Sequence, residues 1–253
     1  MILLLKIAVP PVLVAIASLA ARWWGPTVGG MLVGMPWMTG PVLFFLALDK
    51  GTEFAVGACT GIELGVCCVA PFMLAYGVVS TFARWPASLA AAVAAFGACA
   101  WAIQDVALSL PAAATAAIVT LAAVYLLLPR PRMPAVSMAL PWWDIPARML
   151  TSFLLVAAIM LSADLLGPRL SGIVSTYPAM VTVVCAFTHR QWGLDAVRRL
   201  LRGITLALLG FVAFFLSVGL SLPTVGLVPS FVIAAALVLA IDGVLLIATR
   251  QRA

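Results

Sequence analysis

Apolar residues run along the chain in long blocks, and short polar or Pro/Gly-rich stretches punctuate them. Blocks of about 20 residues, enough for a helix to cross the hydrocarbon of a bilayer, occur near 3–22, 28–48, 53–80, 86–104, 111–128, 147–166, 170–189, 199–221 and 229–249. The pattern predicts an all-α polytopic membrane protein with about nine transmembrane helices. The fifth block is followed by PRPRMPAVSMALPWWDIPAR, which has five prolines and the densest polar content of the chain. That stretch is the natural divide between two halves. Seven tryptophans (Trp23, Trp24, Trp85, Trp101, Trp142, Trp143 and Trp192) fall at or near block ends, where an amphipathic ring suits the headgroup layer; Trp37 is the mid-block exception.

The two halves share more than their hydropathy. Displaced by 142 positions without gaps, GPTVGGMLVGMPWMTGPVLFFLALDKGTEFAVGACTGI (25–62) aligns with GPRLSGIVSTYPAMVTVVCAFTHRQWGLDAVRRLLRGI (167–204), with ten of 38 positions identical. The identities include conformationally restrictive residues: Gly25-Pro26 with Gly167-Pro168, and Gly30, Pro36, Gly51 and Gly61 with Gly172, Pro178, Gly193 and Gly203. Upstream, Leu13-Val14-Ala15 matches Leu155-Val156-Ala157. The N-terminal MILLLKIAVPPVLVAIASLAAR has the look of a signal peptide, but its mid-chain copy marks it as a retained span. The expected organisation is repeat one at 1–105, a connecting helix with a Pro-rich cytoplasmic linker at 106–146, and repeat two at 147–253.

Four blocks pair with four, and 111–128 is left as a connector. A crossing connector inverts one repeat relative to the other, giving a 4+1+4 plan of two inverted-topology repeats. The connector carries no charge anywhere along its length and opens on a proline, which favours crossing. Nine crossings place Arg22, Arg84, Arg130, Arg132, Arg148, Arg190, Arg198, Arg199, Arg202, Arg250 and Arg252 on one side against Lys6, Lys50 and Arg169 on the other, 11 to 3. By the positive-inside bias the first side is cytoplasmic, with the N-terminus outside and the C-terminus inside. A connector that stayed on one side would leave the same count, so charge alone does not decide.

Composition narrows the function classes. With 65% hydrophobic and 9% charged residues, no stretch is left to bury a separate soluble catalytic core. The net charge of +6 reflects loop arginines that orient the chain and is no sign of a nucleic-acid partner. Cys59, Cys67, Cys68, Cys99 and Cys185 all lie in apolar blocks without zinc-ligand spacing, so neither metal nor cofactor is expected. Met31, Met35 and Met38 share a helical face and raise a soft-metal alternative, against which methionine also fills apolar gaps. His189 is the one histidine and falls at a block end. There is no H-E-x-x-H, no G-x-S-x-G with a mid-membrane histidine and no Asp-rich diphosphate site, so an enzyme is not expected.

Matched breakers in corresponding spans are the sequence pointer to a transport site, because an interrupted helix frees backbone groups near the midplane. Pro36 and Pro178 are the matched pair, opening the preceding turn at Leu32, Val33, Val174 and Ser175. The flanking Met35, Trp37, Met38 and Thr39, with Ser175, Thr176, Tyr177 and Met180, would then lie nearest a bound solute. The alternative is that the prolines only kink two helices and that Gly30 and Gly34 serve close packing. Two carboxyls fall inside apolar blocks, Glu63 and Asp242. An acid in hydrocarbon either carries protons for coupled transport or ties helices together by hydrogen bonds. Glu53 and Asp195 follow Gly51 and Gly193 at helix starts, where helix capping accounts for them. The arginine cluster at 190–202 has no first-repeat counterpart and suits anionic lipid.

The paired phrases WGPTVGGMLVGMPWMTGPVLFFLALDKG and LGPRLSGIVSTYPAMVTVVCAFTHRQWG resemble a family of uncharacterised bacterial inner-membrane proteins. Each half also looks like the small GlpM-like four-helix membrane proteins, with their G-P-x-x-G-G/S start and central proline. The resemblance implies inner-membrane location and repeat architecture, and it brings no substrate. The 4+1+4 plan is analogous to the drug/metabolite transporter superfamily, from whose usual ten spans the chain departs. The expected function is secondary transport, proton-coupled export or exchange of a small organic solute by alternating access. A channel or a non-transporting subunit is the alternative, with an intramembrane enzyme or soft-metal transporter further behind. Membrane lipid is the expected surrounding partner, and a homodimer is compatible with the sequence. The orientation has a direct check: a reporter fused to the N-terminus is expected to be active only outside the cell, and a cytoplasmic reading would sink the inverted arrangement.

Overall fold

The computed structural model describes residues 2–37, 39–132, 142–158 and 177–250. Among them all regular structure is helical: α1 (Ile2–Trp24), α2 (Pro26–Gly34), α3 (Thr39–Lys50), α4 (Thr52–Val79), α5 (Trp85–Ile103), α6 (Leu110–Leu127), α7 (144–158), α8 (Ala179–Val225) and α9 (Leu227–Arg250). Six of the described stretches are long and apolar enough to cross a membrane: α2 with α3, α4, α5, α6, α8 and α9. α7 begins at 144, ahead of the boundary expected at 147, so Asp144 stands on the helix and not in the preceding linker.

Two kinds of interruption shape the helices, and both follow from residue type. Gly51 and Gly193 have φ of 87° and 79° with extended ψ (174° and −170°), a region closed to residues with a Cβ. Each turns the chain at a helix start, and Gly193 divides α8 into 179–192, here α8a, and 194–225, α8b. Helix starts recur at the displacement that relates the two halves of the sequence: 52 matches 194 after these glycines, and 85 on α5 matches 227 on α9.

The matched prolines mark helix boundaries of a second kind. α2 stops at Gly34, and α8 starts at Ala179 with Pro178 as its N-cap. At the first break the Trp37 N–H donates to the Met35 carbonyl at 2.9 Å and the Gly40 N–H to the Pro36 carbonyl at 3.0 Å. At the second, Ala179 donates to Tyr177 at 2.8 Å and Thr182 to Pro178 at 3.0 Å. Each bond of one set has its counterpart in the other at that same displacement. Pro178, at φ −80° and ψ 66°, sits in the inverse γ-turn well.

Helix α8b is the axis of the bundle, packing against α2, α4, α6 and α9. α2 runs along it at a small-residue seam. A Cβ on Gly30 would overlap the Leu200 carbonyl oxygen, one on Gly203 would overlap that of Thr27, and one on Gly34 would lie 2.7 Å from the Ala207 Cβ. The opposite face of α2 uses Gly29 against Ala17 and Ala21 of α1. α4 packs antiparallel to α8b: Gly219 lies against Cys59, the Thr205 hydroxyl oxygen lies 3.9 Å from the Met73 sulfur, and Leu201 lies against Gly77. These three pairs fix one register, which brings Glu63 level with Phe215. The core is built along this axis from Val66, Phe72, Met73, Tyr76, Leu200, Leu201, Ile204 and Phe215.

The seam predicts its own mutational signature. Gly30→Ala and Gly203→Ala are each expected to destabilise by about 1–3 kcal/mol through overpacking against backbone. Gly57→Ala, where an added Cβ meets nothing, should be neutral or slightly stabilising. Thermal unfolding of the three variants in detergent checks the ranking, and equal midpoints would refute the close approach.

Candidate functional site

The two proline breaks meet at one cavity. A space of about 250 Å³ is lined by Met35 and Thr39 beside the first break and by Tyr177, Pro178 and Met180 at the second. Pro10 and Leu13 of α1, Val33 of α2, Ile62, Gly65, Val66 and Val69 of α4, Val156 of α7, Ala179 and Val181 of α8a and Leu208 and Phe211 of α8b complete its wall. Tyr177 is held on two sides. Its ring meets Phe96 and Phe72 edge-on, with centroids 5.4 and 6.1 Å away, and its oxygen accepts the Thr182 hydroxyl at 2.8 Å. The second break is thereby tied to α4 and α5, while the glycine seam ties α2, just before the first, to α8b. Thr39 and Tyr177 supply the hydroxyl groups of an otherwise apolar wall.

A second space, about 620 Å³, lies between α3, α8b and α9, lined by apolar side chains and the Met35–Trp37 turn. Phe44, Phe45, Phe214 and Phe231 form its aromatic wall, with Phe44 and Phe231 edge-on at 5.1 Å and Phe214 and Phe231 at 5.9 Å. Pro36 and Trp37 line this outer space and not the inner one, and Trp37 is 45% exposed. Met35 alone of the first break borders both. Of the expected solute-facing residues, then, Met35, Thr39, Tyr177, Pro178 and Met180 are brought together and Pro36 and Trp37 stand one layer out. Met38, Ser175 and Thr176 lie outside the described residues.

Glu63 and Asp242 lie beside the cavities, not within them. Glu63 is fully buried and neither carboxyl oxygen has a hydrogen-bond partner. It shares a four-residue stripe of α4 with Cys59 and Cys67, next to the stripe of Ile62 and Val66 that lines the inner space. Asp242 is 6% exposed, and its two oxygens are likewise without partners. It rests on the bare backbone of Gly210, one helical turn beyond Val238, which lines the outer space. Glu63 level with Phe215 and Asp242 against Gly210 stand about 7.5 Å of helical rise apart along α8b. An acid without partners in such surroundings is costly when charged, so each can stay there only as the neutral acid or with an incoming cation.

Three of the remaining candidates have structural partners, while Glu53 stands exposed in the first turn of α4. Asp195 accepts the Arg132 N–H at 2.9 Å and the Arg198 guanidinium at 3.4 Å. Arg202 stacks over Tyr125 with its guanidinium carbon 4.0 Å from the ring centroid, and donates to the Tyr125 and Leu128 carbonyls that end α6. His189 stands beside Tyr76, whose hydroxyl is 3.4 Å from Nδ1. Gly30 and Gly34 are packing residues.

Two features escaped the sequence reading. Phe211, Phe214 and Phe215 form an aromatic patch whose signal, FVAFF at helical spacing, is present in the sequence. The second is a buried ionic cluster. Arg148, grouped above with the arginines at block ends, is 2% exposed. Its Nε lies 3.0 Å from each Asp144 carboxyl oxygen, its Nη2 donates to Gln191 at 3.0 Å, and its guanidinium faces the Phe187 ring at 5.2 Å. Gln191 in turn donates to Asp144. The cluster fastens α7 to α8a.

Removing one member strands the other. Arg148→Met is expected to lower stability by about 3–5 kcal/mol, and Asp144→Leu added to it should restore most of that. Denaturant titration of the single and double variants measures the difference; additive losses would contradict the pairing.

The chain matches no family model, no curated protein and no solved structure.

Proposed function

We propose that the chain is a secondary transporter of a small organic solute, coupled to protons, with the inner cavity between the two proline breaks as its binding site. The observation that carries the reading is the convergence of Met35 and Thr39 with Tyr177, Pro178 and Met180 on one space. Proline turns at helix boundaries meeting at a shared site fit the arrangement of discontinuous helices by which transporters expose a solute first to one side and then to the other. A volume of about 250 Å³, near the lower bound for ligand pockets, favours a small solute. Its hydroxyl-bearing but uncharged wall favours one without strong charge.

The nine-span 4+1+4 plan of inverted repeats belongs to this proposal. It is supported by the recurrence of helix starts, glycine turns and break hydrogen bonds at one common displacement along the chain. Coupling to protons is supported by Glu63 and Asp242, two partnerless carboxyls packed near the axis helix. A proton taken up at either would remove the cost of a buried charge and let its helix contacts change with the solute site.

A ligand-induced thermal-shift screen on purified protein supplies candidate solutes, and proteoliposomes with an internal pH dye test transport. Asp242→Asn and Glu63→Gln are each expected to lose most solute-driven proton flux while keeping the thermal shift. Flux unchanged in both variants would remove the carboxyls from the mechanism. Saturable counterflow is expected, and its absence alongside non-saturating flux would replace the transporter by a channel.

A further inference from the structure

Outside the two cavities near the proline breaks, one space has the opposite chemistry. It holds about 510 Å³ where the end of α4, the chain leaving α6 and the start of α8b meet, and its wall includes Thr81, Arg130, Arg132, Leu194 and Arg198. We propose that this space binds a phosphate group, either the headgroup of an anionic lipid or a free phosphate.

Three observations carry it. First, Arg130, Arg132 and Arg198 all line one space and no described acidic residue does; the neighbouring Asp195 carboxylate takes the Arg132 N–H and the Arg198 guanidinium, so the lining keeps a positive excess. Second, Arg198 is 5% exposed, and although its Nη1 donates to Asp195 at 3.4 Å, its Nε has no hydrogen-bond partner. A buried N–H on a charged group is costly unless an acceptor completes it. Third, α8b begins at Leu194 beyond the Gly193 turn, so the positive end of its helix dipole opens at the cavity wall. Guanidinium forks match the tetrahedral oxygens of phosphate, which the polyvalent anion can offer to several donors at once.

The surroundings leave these groups available. Arg202 is engaged elsewhere, with Tyr125 and the α6 carbonyls. Arg130 and Arg132 are exposed, and the Arg132 backbone rather than its guanidinium is what Asp195 holds. The space lies at the end of α4 and the start of α8b, and lipid phosphates would stand at that level were these helices to cross a bilayer.

The test uses the full chain in a neutral detergent. Native mass spectrometry with phosphatidylglycerol and phosphatidylcholine, and calorimetric titration with inorganic phosphate, separate the sources. If the ligand is a lipid headgroup, phosphatidylglycerol binds in preference to phosphatidylcholine and the Arg130→Gln/Arg132→Gln variant weakens it about tenfold or more, while Arg84→Gln/Arg190→Gln keeps it. If it is free phosphate, the same arginine dependence appears in the calorimetric arm instead. In the unaltered protein, either ligand should also slow modification of Arg130 and Arg132 by phenylglyoxal, read by peptide mass spectrometry. Binding that is indifferent to these arginines in both arms, or modification that neither ligand slows, overturns the proposal.

Discussion

In hydrocarbon a backbone N–H or carbonyl without a partner costs several kcal/mol, and the interior of this chain is organised around two proline turns at helix boundaries, one where α2 stops and one where α8 starts, at which that cost must be met locally. At Pro36 and at Pro178 the missing i to i−4 bond is replaced by a bond across the proline, followed by one onto the proline carbonyl. Such a turn is compact enough to stay inside the bundle. The inner cavity is the space that remains when α1, α4, α7 and α8b pack around two such turns.

Holding broken helices in place demands more of their neighbours than holding intact ones. α2 has only nine residues, too few to be stable alone, and it is gripped on both faces through glycines: Gly29 toward α1, and Gly30 and Gly34 toward α8b. Removing side chains lets backbones approach and gains dispersion contact where no hydrophobic driving force separates helix from lipid. The segment after Pro178 is held differently, by the edge-on rings around Tyr177 and by the Asp144–Arg148–Gln191 cluster on α7 and α8a. The Pro36 turn is therefore anchored by small residues and the Pro178 turn by aromatic and ionic ones.

Much of this was legible in the sequence, for identifiable reasons. Helix limits followed hydropathy closely, since a run of apolar residues bounded by Gly-Pro, Arg-Trp-Pro or Ser-Leu-Pro has few other folds open to it; α6, Leu110–Leu127, all but coincides with the block expected at 111–128. The proline turns were legible because Pro36 and Pro178 recur at matched positions; loss of a donor alone did not mark them, since Pro10, Pro11, Pro71 and Pro223 lie inside continuous helices. What the sequence did not reveal was direction around each helix. Hydropathy on an all-apolar helix has no polar face to orient it, so nothing in MPWMT distinguished Met35, which borders both cavities, from Trp37, which turns outward. The same blindness hid Arg148. Near a block end an arginine reads as a loop residue, and only a partner one helical turn back on the same face, Asp144, makes it a buried one.

The separation of the carboxyls from the inner cavity bears on how coupling would work under the proposed function. A solute in that cavity touches neither Glu63 nor Asp242, so direct competition between proton and solute for one group is not available. Both acids instead belong to contacts with α8b or its level: Asp242 sits on Gly210, and Glu63 stands level with Phe215. Between them Phe211, which lines the inner cavity, stacks on Phe215 with centroids 4.7 Å apart. Any shift of α8b that opens or closes the cavity must therefore also change what surrounds each carboxyl. Linkage then makes the effect reciprocal, with protonation biasing the helix position that the solute prefers and the solute biasing protonation.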